Sequence, residues 1–162
     1  KDNIEKNFNF NRTNIAEKKI SKDGTIKWLL KLSDNNLVET VFIPSGKRGT
    51  LCVSSQVGCT LNCKFCHTGT QLMVKNLTTH EIINQILVAK DELNDWGSQK
   101  KITNIVYMGM GEPLLNYKHV LESVKRICDS DVIFCLVRCS LVVPIQYRSR
   151  STPNGCFTCS YN

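Results

Sequence analysis

Several features are scarce in this sequence of 162 residues. No apolar run approaches the ~20 residues that a membrane-spanning helix requires, so a membrane role is not expected. The opening residues, Lys1-Asp2-Asn3, are polar and carry no apolar signal segment. Low-complexity tracts are missing. With 41% apolar and 22% charged residues, the chain has the composition of a folded domain rather than a disordered one. Aromatic residues are few, and no aromatic stacking platform of the kind that binds single-stranded RNA stands out. The length suits one domain with a core and is short for two.

Cysteine, in contrast, is abundant. Nine thiols form an odd set, which fits a closed disulfide framework poorly. With no secretory segment the expected compartment is the cytosol, where clustered thiols serve metal binding or catalysis. The net charge of +7 favours a polyanionic partner such as RNA.

Periodicity predicts an α/β chain. Residues 1–24 are polar and lysine-rich, a poorly ordered entry. Thr25–Leu32 and Leu37–Phe42 alternate as strands around the turn residues Ser33-Asp34-Asn35-Asn36, so a hairpin is expected, closed by Pro44 and Gly46. Thr50–Ser54 is a third strand leading into a cysteine loop. Thr78 with Glu81 three positions on makes a capping box, and Ile82, Ile83, Ile86, Leu87 and Leu93 recur at helical spacing up to Gly97. Ile102–Met108 has the character of a buried parallel strand. Gly109–Pro113 forms a loop, and Tyr117–Cys128 a second helix. Strand, cysteine loop, helix, strand, glycine loop and helix make a βαβα order, which implies a parallel sheet. Functional loops of such sheets gather at the carboxyl ends of the strands, where both of these loops fall. Beyond residue 129 only 132–143 resembles a strand.

The cysteine loop places Cys59, Cys63 and Cys66 within eight residues. Thiolates hold iron–sulfur clusters, and a cubane has four iron corners. Three nearby ligands would leave one iron open to a ligand that is not protein. Gly58 and Gly69 allow the backbone to bend around such a group. Two other readings stand beside this one. The thiols could hold a structural zinc with His67 or Cys52 as fourth ligand, although neither has an ordinary zinc spacing. They could also be reduced thiols without metal.

The spacing Cys59-x₃-Cys63-x-Phe65-Cys66 resembles the signature of the radical S-adenosylmethionine (SAM) superfamily. Leu51–Cys59 (LCVSSQVGC), Glu39–Pro44 (ETVFIP) and Tyr107–Asn116 (YMGMGEPLLN) are similar to segments of the RlmN/Cfr family of radical SAM RNA methyltransferases, and more to its RlmN branch. The similarity runs from about Val38 to about Cys128. It implies a partial (βα)6-type barrel, with only the first βα units, preceded by a short β-hairpin. It implies methylation of carbon 2 of an adenine in 23S ribosomal RNA, with transfer RNA as a second substrate. A Cfr-like enzyme acting on carbon 8, or a zinc-stabilised RNA-binding module, is the alternative.

By the same resemblance, Cys59, Cys63 and Cys66 hold a 4Fe–4S cluster, and Gly111 and Glu112 belong to the loop that holds SAM. Glu39 accepts a proton. Cys52 resolves a protein–RNA crosslink by forming a disulfide. A one-electron donor such as a flavodoxin is the implied partner, and the chain is expected to be a monomer. Taken without the resemblance, Glu39 is a solvated strand residue, Cys52 a small buried hydrophobe, Gly111 a tight bend and Glu112 a cap for the next helix. The division expected is an N-terminal remnant at 1–24, a partial radical SAM core at 25–128 and a divergent tail at 129–162. Cys156 and Cys159 lie outside any context matching the family's methyl-carrying cysteine. The chain is therefore expected to be an incomplete, inactive fragment, able at most to bind a cluster and SAM.

Overall fold

The computed structural model describes residues 12–61, 63 and 66–129, and the backbone of two short strands at 150–151 and 157–158. In chain order the elements are β1 (Asn14–Ile20), β2 (Ile26–Lys31), β3 (Leu37–Ser45), β4 (Arg48–Cys52) and β5 (Gln56–Val57). A 3₁₀ turn at His67–Thr70 follows, then β6 (Lys75–Asn76), α1 (Thr79–Leu93) and β7 (Asn104–Val106). A second 3₁₀ turn at Pro113–Asn116 leads into α2 (Tyr117–Asp129). The last strands, β8 (Arg150–Ser151) and β9 (Phe157–Thr158), pair only with each other. The strand expected at 132–143 lies outside the described residues.

β1 to β4 form an antiparallel meander, and β7 adds to β4 in parallel. β4, α1 and β7 are therefore a βαβ unit, as the motif order predicts. Strand pairing sorts the residues into two faces. One row, Ile26–Phe42–Leu51–Ile105, runs across the sheet on the core side. The adjacent row, Lys27–Val41–Cys52–Val106, lies on the opposite face. On the core side Trp28, Leu30, Val38, Leu51 and Ile105 join Ile82, Ile86 and Ala89 of α1 and Val120 and Ile127 of α2 in one buried cluster. Each large aliphatic side chain buried there contributes about 1.5–3 kcal/mol.

The capping box of α1 forms as expected: the Thr78 hydroxyl accepts from the Glu81 N–H, and the Glu81 carboxylate accepts from the Thr78 N–H at 2.8 Å. Element ends shift by a few residues throughout, and three differences from expectation have a clear local cause. The hairpin grows into four strands because Asn14–Ile20, inside the polar entry, pairs with β2 as an edge strand. Charged residues suit an exposed edge, so the segment shows no alternation. Pro44 lies inside β3 instead of closing it. Beyond Phe42 that strand has β4 as its only neighbour among the described residues, and a residue without an N–H is tolerated there. α1 stops at Leu93, not Gly97, because Asn94 takes the left-handed conformation at φ 51° and ends the helix there.

Candidate functional site

β4 and β7 run in the same direction, so the chain leaves both at one end of the sheet. The two exits are bonded to each other. Val53 N–H donates to Val106 O at 2.9 Å, and Gly109 N–H to Val53 O at 3.0 Å. The N–H groups of Ser55 and Gln56 both reach Met110 O, at 2.9 and 3.2 Å. Met110 N–H donates to Ser54 Oγ at 3.0 Å, and that hydroxyl donates to Glu39 O at 2.6 Å. A Cβ on Gly109 would sit 2.7 Å from Ser54 Oγ and 2.8 Å from Val53 O, so no larger residue fits without displacement. Gly111 has φ +90°, and a Cβ there would lie 2.4 Å from Gln56 Cβ. The Glu112 carboxylate accepts from Leu114 N–H at 3.1 Å and caps the 3₁₀ turn, while its own N–H donates to Gln56 Oε1 at 2.8 Å.

The cysteine loop is closed at its base by the β5–β6 ribbon, in which Gln56 faces Asn76 and Val57 faces Lys75. Val74 N–H donates to Val57 O at 2.8 Å. Gly58, at φ +75°, passes so near Leu72 that a Cβ would stand 2.0 Å from its carbonyl oxygen. Further out the bonds are sparse. Cys66 N–H reaches Cys63 O at 3.0 Å, and Cys59 N–H reaches Gln71 O at 3.4 Å. Cys59, Cys63 and Cys66 are free, half-exposed thiols. Among the described residues, no three His, Cys, Asp or Glu side chains are gathered closely enough to hold a metal ion. In donor type and in spacing along the sequence the three thiols fit a thiolate-held cluster. Assembling one would draw the three thiols closer together.

Charge fixes the base of this loop. Lys75 on β6 pairs with Asp34 in the β2–β3 turn and with Glu81 of α1, the latter at 2.6 Å. The hydrogen bond from Lys75 is the chief reason that the Asp34 carboxyl is lowered to about 2. Burial acts to raise Glu81, but bonds from Lys75 and Thr78 outweigh it and hold the carboxyl below its ordinary value. Burial likewise acts to lower Lys75, and its two carboxylate partners leave it raised.

Glu39 and Cys52 come together on the sheet face away from the helices. Val41 pairs with Cys52, so Glu39, two residues before Val41, is a diagonal neighbour of Cys52. Glu39 Oε1 accepts from Lys27 Nζ at 2.9 Å, with both side chains partly exposed. Cys52 is a free thiol. Burial raises its pKa, and a hydrogen bond from Met108 N–H offsets part of that rise.

Three residues without a role in the sequence argument hold this region together. Gln85, on the buried side of α1, accepts from Ser54 N–H and Thr40 Oγ1, both at 2.9 Å, and donates to Ser54 O at 2.9 Å. Asn116 donates to Ser55 O at 2.8 Å and Leu77 O at 2.7 Å. Gln56 donates to Asn76 Oδ1 at 2.7 Å. The one signal available beforehand was Gln85 itself, a polar residue three positions after Ile82 on an apolar helical stripe. No helix among the described residues is long and apolar enough to cross a membrane.

The family model of the radical SAM superfamily matches residues 53–146. The chain is 54% identical over 130 residues to a dual-specificity RNA methyltransferase RlmN of Caulobacter sp. (strain K31), covering 78% of this chain and 32% of that protein. It is 49% identical over 154 residues to the protein of the same name from Caulobacter vibrioides (strain NA1000 / CB15N), covering 90% and 38%. The chain thus spans about a third of the length of these curated relatives. The crystal structure of a radical SAM methyltransferase from Sphaerobacter thermophilus superposes with a TM-score of 0.69 at 34% identity, covering 76% of this chain and 36% of that one.

Proposed function

This chain belongs to the radical SAM superfamily and, within it, to the RlmN family, and from that premise we propose that it supplies the cluster- and SAM-binding part of an enzyme methylating carbon 2 of an adenine in 23S ribosomal RNA, with transfer RNA as a further substrate, and does not turn over by itself. One observation carries the proposal beyond the family. The loop bearing Cys59, Cys63 and Cys66 and the loop bearing Gly111 and Glu112 leave neighbouring parallel strands at one end of the sheet, joined by shared hydrogen bonds.

In this reading Cys59, Cys63 and Cys66 hold three irons of a 4Fe–4S cluster as thiolates. Gly111 and Glu112 hold SAM beside it. Bound together, cluster and SAM supply a one-electron cleavage whose radical reaches a carbon too weakly nucleophilic for ordinary methyl transfer. The electron comes from a flavodoxin-type donor. Glu39 takes the proton that the methylated carbon loses. In the complete reaction the Cys52 thiolate would attack the sulfur of a methyl-carrying cysteine, a role assigned to no residue of this chain. A sulfur–sulfur bond forms, the sulfur–carbon bond breaks, and its electron pair goes to the carbon that becomes the methyl group after taking a proton. Free thiols at Cys52, Cys59, Cys63 and Cys66 suit the reducing cytosol.

The test is anaerobic reconstitution of the chain with iron and sulfide, followed by paramagnetic resonance of the reduced sample with and without SAM. Uptake of iron and a spectrum that SAM alters are expected. Uptake of zinc in place of iron would overturn the reading in favour of a zinc-stabilised module. Mass spectrometry of RNA incubated with the reconstituted chain is expected to find no methylated adenine, and finding one would overturn the reading of the chain as unable to turn over alone.

A further inference from the structure

We propose that Gln56 is a positioning residue that sets the glycine loop against the cysteine loop, and so sets SAM against the cluster; this rests on the function proposed above. Gln56 is 1% exposed and lies three residues before Cys59. Its amide has one partner on each loop. Nε2 donates to Asn76 Oδ1 on the return strand of the cysteine loop, at 2.7 Å. Oε1 accepts from the Glu112 N–H of the glycine loop, at 2.8 Å. The backbone adds a third tie, from Gln56 N–H to Met110 O at 3.2 Å.

The side chain is also a spacer. A Cβ at Gly111 would meet Gln56 Cβ at 2.4 Å, Cγ at 2.7 Å and Oε1 at 2.8 Å. The glycine loop therefore rests directly on the Gln56 stem, with backbone against side chain. Changing the polar end alone would leave the spacing and release the clamp. Because Gln56 acts through Gly111 and Glu112, its effect belongs to SAM and not to iron uptake.

Gln56→Met separates these roles, since it keeps a stem of similar length and removes both amide bonds. Gln56→Glu is the conservative partner: it still accepts from Glu112 N–H, and a turned Asn76 amide can donate to it. Parent and variants are reconstituted alike, and iron content, SAM affinity and the SAM-induced change in the resonance spectrum are measured. Gln56→Met is expected to bind iron as the parent does and to bind SAM about tenfold more weakly, the scale of one buried N–H left unpaired. Its SAM-induced spectral change should differ from the parent's, and Gln56→Glu should recover part of both. Parental SAM affinity and spectrum in Gln56→Met would overturn the proposal. So would loss of iron from both variants, which would make Gln56 a builder of the cysteine loop. A parent chain that takes up iron but ignores SAM brings down the functional reading as well, and the two failures are told apart by which sample shows them.

Discussion

The glycine loop and the cysteine loop begin on neighbouring strands, but only one is held along its length. Gly109, Met110 and Glu112 are each tied to the 53–56 segment by backbone or amide bonds. Val53, Ser54 and Gln56 in that segment sit so close that glycine is required at 109 and 111. The cysteine loop is fixed at its waist by Gly58, β5 and β6, while Leu61 and Leu72 further out are exposed. The difference teaches which loop is ready before its ligand arrives. A receptor for a small cofactor gains from being preformed. A loop that wraps a cluster can take its final shape from the metal, because ligand binding is itself folding energy.

The largest effect that could break this comparison is at the thiols. Replacing Cys59, Cys63 and Cys66 together with Ala should reduce bound iron to background, as elemental analysis reads. Stability of the unreconstituted chain should change by no more than about 0.5 kcal/mol, as for surface positions generally, because these half-exposed thiols make few bonds. A large drop in melting temperature would mean that the cysteine loop is as firmly built as its neighbour. Next in size, Gly109→Ala should lower stability by about 1–3 kcal/mol through overpacking against Val53 and Ser54. Gly97→Ala, where nothing lies within 4 Å, should be near neutral when the two variants are compared by urea titration. Equal effects would erase the distinction.

Thr78→Ala should cost about 1 kcal/mol by removing one half of the capping box where the cysteine loop passes into α1. Circular dichroism during thermal unfolding would report it. The smallest effect is on acidification. Asp34 and Glu81 hold protons less readily folded than unfolded. Their contribution is present above the ordinary carboxylate range and fades as the pH falls toward about 2, the value Asp34 reaches. Lys75→Met should flatten the acid limb of the stability–pH curve, by a modest amount because Asp34 is partly exposed.

The parts legible in the sequence were those with a local period or a fixed spacing. Thr78 and Glu81 announce α1 because a capping box is a three-residue device. The thiol spacing and the GMGEP run mark the two loops, and the βαβ order places them at one end of the sheet. β1 was not legible, since Asn14–Ile20 is half charged and gains its strand form only by pairing with β2. The end of α1 depended on Asn94 adopting a left-handed turn, while Gly97, the stronger punctuation, stands in open space. The roles of Gln56 and Asn116 could not be read at all. Each bonds to a segment 20 or more residues away, and nothing in a glutamine or an asparagine names its partner.

Gln85 has a wider consequence. Past Cys52 the polypeptide peels away from the sheet, and the peptide unit at Ser54 would be stranded in the interior with neither strand nor solvent to satisfy it. One carboxamide on a helix answers both its N–H and its C=O. The spot where the chain departs toward its cysteines is thus chosen by a single helical side chain imitating an absent strand, and shifting that side chain by one turn would reroute the exit itself.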